Sequence, residues 1–264
     1  MEEYGKVIPK KIHYCWVGGS PLPLLAKKCI ASWKKYCPDY EIIEWNESNY
    51  DFTKNQYMKE AFEAKKWGFV PDYARLDIIY QYGGIYLDTD VEMVKSFDAL
   101  LKDKGFAGFE DKSFINFGQG FGAEAGNLVI KKLRDSYNSL NFINKDGSLN
   151  MVASPDLNTT KLAEMGLNRN GEKQTLDNCF IVYPCDYFCP KSLNDGIIRK
   201  TKNTYSVHHF DASWFNDKEK KVQLDRWKRK KKYARQKARR AKIKGVFIKV
   251  LGEKTYNKLR GKKD

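Results

Sequence analysis

Residues 83–93 read GGIYLDTDVEM. A short apolar run, Ile85, Tyr86 and Leu87, ends directly on Asp88 and Asp90, with only Thr89 between them. The run has the composition of a buried strand. Two carboxylates so close repel each other unless something cationic sits between them. Side chains two apart on a strand share a face, so both can address one point. In parallel α/β sheets, ligands bind beyond the carboxyl ends of strands. The pattern therefore predicts a strand end that holds a hard divalent cation, Mg²⁺ or Mn²⁺, through oxygen ligands. A turn with two solvated aspartates is the alternative reading.

The preceding segment, VPDYARLDIIYQYGG, predicts a helix with Pro71 in its first turn and Gly83 and Gly84 at its end. Tyr73, Leu76, Ile79 or Tyr80, and Tyr82 recur at helical spacing, and Asp72, Arg75 and partly Asp77 fall on the other face. Residues three apart on a helix are neighbours, so Asp72 and Arg75 present together. Upstream, KVIPKKIHYCWVGG and YEIIEWN read as strands. LLAKKCIASWKKYCP and YMKEAFEAKKWG read as helices, the second closed by Gly68. Downstream, GFAGFE, FIVYPCDYFCP and TYSVHHF read as strands, and INFGQGFGAEAGN as a glycine-rich connection into the helix NLVIKKLRDSY. Strands alternating with helices predict an α/β fold with a mostly parallel central sheet. The glycine-rich connection has the look of a phosphate cradle but lacks the Lys-Ser/Thr of a P-loop.

Charge divides the chain. From Lys218 onward there are 21 Lys+Arg against 4 Asp+Glu, whereas residues 1–217 hold 27 against 29. This predicts a domain over 1–217 and a basic amphipathic helical tail over 218–264. Ile243, Val246, Phe247, Val250, Leu251, Tyr256 and Leu259 lie between lysines in that tail, a pattern that suits an anionic membrane surface. A solvated charged helix is the plain alternative. RNA or DNA binding is another, since WKRKKKYARQKARR mixes basic and aromatic residues. No run of about 18 uncharged apolar residues exists, which argues against a membrane-spanning helix. The N-terminus lacks the pattern of a secretory signal, and six cysteines are too few for a disulfide scaffold, so a cytoplasmic protein with reduced thiols is expected. Cys185 and Cys189 lack the matching second pair of a metal site.

Three segments, KKIHYCWVGG, WGFVPDYARLDIIYQYGGIYLDTDVEM and HHFDASW, together resemble family-32 glycosyltransferases, which include capsular-polysaccharide sugar transferases and yeast mannosyltransferases. They are more distantly similar to the catalytic domain of large clostridial glucosylating toxins. The resemblance runs in order from residue 6 to about 216 and leaves out the basic tail. It implies a nucleotide-sugar-binding fold of the GT-A type, a divalent metal, and transfer that retains the anomeric configuration. Carried over, Trp16 stacks on the donor base, Asp72 and Arg75 hold sugar hydroxyls and phosphate, and Tyr86 belongs to the donor site. Asp88 contacts sugar or ribose and shares the metal site with Asp90, the direct ligand. Ser213 and Trp214 form a flap over the donor, with a core anchor as the alternative for Trp214. Asn116, Phe117 and Gln119 line the acceptor side.

Imidazole suits Mn²⁺ adequately. His208 and His209 point to opposite sides of a strand, so only one completes the metal site, and His208 is the better placed; two half-buried packing imidazoles are the alternative. His13 reads as a packing residue inside the first strand. The expected function is transfer of a hexose from a nucleotide diphosphate sugar, UDP-sugars being the commoner donors among relatives, to a surface or capsular polysaccharide or a lipid-linked glycan. The inner face of the membrane is the expected place. Two rivals remain: a toxin-like transferase acting on a protein, and a nucleic-acid-binding protein working through the tail.

Overall fold

The computed structural model describes residues 8–177, 179–211, 217–252 and 255. The chain divides into two compact units, residues 1–192 with 198–214, and residues 193–197 with 215–264.

The first unit opens with β1 (Lys11–Cys15), α1 (Leu24–Tyr36) and β2 (Glu41–Trp45), then α2 (Gln56–Glu63) and α3 (Val70–Tyr82). β3 (Gly84–Tyr86) and β4 (Val91–Met93) follow, with β5 (Gly105–Gly108), β6 (Phe121–Ala123) and α4 (Leu128–Ser136) after them. α5 (Ser154–Glu164), β7 (Gln174–Leu176), β8 (Phe180–Tyr183) and β9 (Ser206–His208) complete the unit. Seven strands form one sheet in the order β2-β1-β3-β6-β5-β8-β7, and β4 pairs with β9 in a separate ribbon.

The sheet is mixed, which corrects the expectation of a mostly parallel one. β1 is parallel to β2 and β3, and β5 to β8. β6 runs antiparallel to both β3 and β5, and β7 antiparallel to β8. The reversal comes from the segment expected to be only a glycine-rich connection. Glycines are depleted in strands because they add no packing surface, yet Gly122 is required here. A Cβ on it would sit 2.8 Å from the Phe106 ring and 2.9 Å from the Gly84 carbonyl oxygen. The second helix also ends earlier than expected, at Glu63, where Lys65 takes a positive φ of 55°.

Apolar residues pack on both faces of the sheet. One side holds Trp45, Tyr57, Leu76, Ile79, Phe117 and Phe121, the other Trp33, Ile85, Leu87, Phe97 and Phe188. α3 departs from a two-faced helix: every residue from Val70 to Ile79 is buried, Asp72, Arg75 and Asp77 included. Charged groups buried in this way need partners, and each has one. Asp77 accepts from Tyr50 Oη at 2.7 Å and lies 3.4 Å from Arg134. His13 is a satisfied core residue. The Trp45 indole N–H donates to its Nδ1 at 3.1 Å, which leaves Nε2 to donate to the Gly83 carbonyl at 2.9 Å. All six cysteines are free.

The second unit is dominated by α6 (Asp217–Leu251). Its Trp227 indole donates to the Leu193 carbonyl at 2.8 Å, as does Arg226 at 3.1 Å. Gly196 abuts the Trp227 ring so closely that a Cβ would lie 2.6 Å from it. Among the described residues no helix is long and apolar enough to cross a membrane.

A candidate metal and donor site at the end of strand β3

Asp88 and Asp90 are brought together by a turn, not by strand alternation. β3 ends at Tyr86, and the Val91 N–H donates to the Asp88 carbonyl at 3.1 Å, folding the chain between the two aspartates. β4 then departs under the hold of α1: the Trp33 indole donates to the Val91 carbonyl at 2.7 Å, and Ser32 Oγ accepts from Met93 N at 2.9 Å. Antiparallel pairing sets Val91 opposite His208. That register carries a histidine more than a hundred residues away to the side of Asp90. His208 Nε2 lies 3.3 Å from Asp90 Oδ1. The backbone N–H groups of His209 and Asp211 donate to Asp90, at its carbonyl (3.0 Å) and its Oδ2 (2.8 Å).

Each of Asp88, Asp90 and His208 offers one ligand atom, and the three atoms lie within 4.8 Å of one another. Two carboxylates and an imidazole are a donor set that suits Mn²⁺. His208 Nδ1 is buried and finds no hydrogen-bond partner among the described residues. The nitrogen set beside the carboxylates is Nε2, 3.3 Å from Asp90 Oδ1, and three donor atoms of these types so close together fit a bound cation, so the residues present suit the group. His209 turns away: its Nε2 meets Glu92 Oε2 at 2.9 Å, because adjacent strand residues face opposite sides.

A second charge cluster adjoins the first. Arg75 Nη2 lies 3.0 Å from Asp72 Oδ1 and 3.5 Å from Asp88 Oδ1, and its Nε donates to the Pro71 carbonyl at 3.0 Å. The guanidinium rests over the Tyr86 ring, 5.4 Å from its centroid. Tyr86 is buried beneath it, so that ring supports Arg75 and presents no surface to a ligand. Burial works against the charge on Arg75, but Asp88 and Asp72 outweigh it and raise its pKa. Burial pushes the Asp72 carboxyl up to about 6, against the pull of Arg75. Burial also acts on Asp90, yet His208 overcomes it and brings the carboxyl down to about 2. On His208 burial lowers the pKa, while Asp90, Glu110 and Asp88 together raise it.

The glycine-rich segment lies against this cluster. Asp88 N–H donates to the Gly118 carbonyl at 2.9 Å, and Gly118 N–H donates to Asn116 Oδ1 at 2.6 Å. Asn116 in turn donates to Glu110 Oε2 at 2.5 Å. Gly118 and Glu110 were not expected here. Glu110 follows β5 as Asp88 follows β3, a carboxylate just past a strand end, and GFAGFE carries that signal. Gly118 has no sequence signal of its own.

Other expected residues fall elsewhere. Phe117 is fully buried and packs on Phe121 at 4.8 Å between centroids, which removes it from any acceptor surface. Gln119 is also fully buried, donating to the carbonyls of Gly108 (2.8 Å) and Phe109 (3.0 Å). Trp16 is half-buried, its indole bonded to the Ser20 carbonyl at 2.5 Å. Ser213 and Trp214 lie outside the described residues.

Residues 23–107 match a family described as the glycosyltransferase sugar-binding region containing a DXD motif. Inositol phosphoceramide mannosyltransferase 3 of Schizosaccharomyces pombe is 31% identical over 106 residues, 36% of this chain and 27% of its own length. Subversion of eukaryotic traffic protein A of Legionella pneumophila is 27% identical over 111 residues, 32% of this chain and 17% of its own. The chain thus spans no more than 27% of the length of these curated relatives. Among solved structures, the PaToxG glycosyltransferase aligns with a TM-score of 0.46 at 23% identity, over 60% of this chain and 69% of its own. A glycosyltransferase involved in glycosylation of the major capsid of PBCV-1 aligns with a TM-score of 0.43 at 14% identity, over 83% and 98%. Asp88-Thr89-Asp90 is the DXD of the matched region, and the class of enzyme that this region marks is a glycosyltransferase.

Proposed function

We propose that this chain is a metal-dependent, retaining glycosyltransferase with a GT-A type fold, moving a hexose from a nucleotide diphosphate sugar to a glycan or lipid-linked glycan of surface or capsular type. The observation that carries the reading is the convergence of Asp88, Asp90 and His208 within 4.8 Å of one another, beside an Arg75 shared by Asp72 and Asp88. The mannosyltransferase relative is named for inositol phosphoceramide, a lipid, which supports a lipid-borne acceptor and with it a place of action at a membrane face.

Asp88, Asp90 and His208 would hold Mn²⁺ or Mg²⁺, which when bound supplies Lewis-acid neutralisation of charge on the leaving diphosphate. The protein's own groups do the rest. Arg75 is engaged on two carboxylates, so it fixes Asp88 and Asp72 in orientation and keeps their combined charge tolerable. Asp88 would face the hexose hydroxyls, with Asp72 buried behind it on Arg75, Trp16 at the base and Asn116 toward the acceptor. In the transfer, the bond between the anomeric carbon and the diphosphate oxygen breaks on the same face at which the acceptor oxygen bonds. The acceptor proton passes to the departing phosphate oxygen. A carboxylate nearby stabilises the oxocarbenium-like centre.

The test is a panel of UDP- and GDP-hexoses incubated with Mn²⁺, scored for nucleotide release with wild type and Asp90→Asn. One donor should be turned over, with a loss of about 100-fold in Asp90→Asn. Release from none of them, or turnover indifferent to chelation, refutes the reading.

A further inference from the structure

From Arg226 to Lys249, α6 carries thirteen basic residues and no acidic one. Their distribution around the helix is specific. Lys228, Lys232, Arg235 and Arg239 follow one another at four-, three- and four-residue steps, and the same steps continue through Ile243, Val246 and Val250. At 100° per residue all seven fall within an arc of about 80°, along a line of about 33 Å. Every one is exposed, and the apolar three are 47%, 56% and 74% exposed. Lys228 keeps an outlying partner in Asp225 at 3.4 Å. The buried positions of the helix, Gln223 and Trp227, lie on a different face.

A single line of cations that turns apolar in its last two turns matches one kind of surface. The cations suit phosphate-bearing headgroups, and the apolar end suits the acyl boundary just below them. A nucleic acid backbone would satisfy the cations but leave Ile243, Val246 and Val250 in water. We propose that this stripe of α6 is a docking surface for an anionic lipid bilayer, lying in the plane of the headgroups with its C-terminal turns inserted. The inference deepens the membrane-face location proposed above, and its carrier contains none of the transfer residues.

The test is co-sedimentation of the full chain with vesicles of phosphatidylcholine alone or with 30% phosphatidylglycerol, at low and high salt. Binding should require the anionic lipid and weaken with salt. Lys232→Gln/Arg235→Gln/Arg239→Gln should weaken it about 100-fold, each cation near such a leaflet being worth about fivefold. The equal charge change on another face, Arg240→Gln/Lys237→Gln/Lys244→Gln, should cost about tenfold or less. Ile243→Ser/Val246→Ser/Val250→Ser should cost about tenfold at unchanged charge. Equal losses from the two charge variants, or none from the apolar variant, overturn the proposal. So does a mixed-sequence RNA or DNA 20-mer that binds more tightly than the vesicles and displaces them. Circular dichroism confirms that each variant keeps its helix. Asp90→Asn should bind vesicles like wild type even if the transferase reading fails, so the two failures are distinguishable.

Discussion

Gly118 has almost no room: a Cβ there would lie 2.0 Å from Asp88 Oδ2 and 3.1 Å from Arg75 Nη1. Gly118→Ala should push the Asp88 carboxylate aside, and Mn²⁺ affinity should fall about tenfold or more, as when outer-sphere partners of metal ligands are lost. Calorimetric Mn²⁺ titration checks it, and wild-type affinity in a folded Gly118→Ala protein contradicts it. His13 is the residue with a readable pH dependence. Burial drives its pKa down from 6.5 to about 4. The unfolded chain therefore binds the extra proton between those values, and stability contributed by neutral His13 is lost as pH falls from 6.5 toward 4. The full loss is about 3 kcal/mol. NMR titration of the His13 ring in the folded protein checks this, and a midpoint near 6.5 contradicts it. At this scale the carboxylates Asp88 and Asp90 were legible because an apolar run ended on them. Glu110 and Gly118 were not, since their relevance comes from residues brought close only by folding.

Elements rest on local chemistry that sequence reports unevenly. α1 and α3 were legible from their apolar spacing and their proline and glycine boundaries, and both end where those boundaries fall. β6 was hidden because Gly122, which its close pairing requires, reads as loop. The pairing of β4 with β9 was hidden because no local pattern reports a register between segments so distant, and that register selects His208 over His209. α4 is set by Asn127, whose side-chain oxygen accepts from Val129 N at 3.1 Å and Ile130 N at 3.3 Å while its amide donates to the Lys104 carbonyl at 3.1 Å. Asn127→Ala should cost about 1–2 kcal/mol. Urea unfolding with an unchanged slope and a lower midpoint checks it. A midpoint equal to wild type would mean that the cap is dispensable.

The molecule divides its charge unevenly along the chain. The larger part of the chain is nearly neutral, and a carboxylate-rich site sits where β3, the β4–β9 ribbon and the glycine-rich segment meet. The basic helix carries the excess charge and no residue of that site. Composition made this partition legible before any fold was known, whereas the mixed sheet required the pairing itself. The account depends on a cation held by Asp88, Asp90 and His208. The most direct measurement is pulsed electron paramagnetic resonance of Mn²⁺ bound to the protein, with natural and ¹⁵N-labelled histidine. The account predicts one Mn²⁺ site per chain with histidine nitrogen coupling, abolished in His208→Ala and retained in His209→Ala. Manganese bound without nitrogen coupling, or bound equally well by Asp90→Asn, would contradict it.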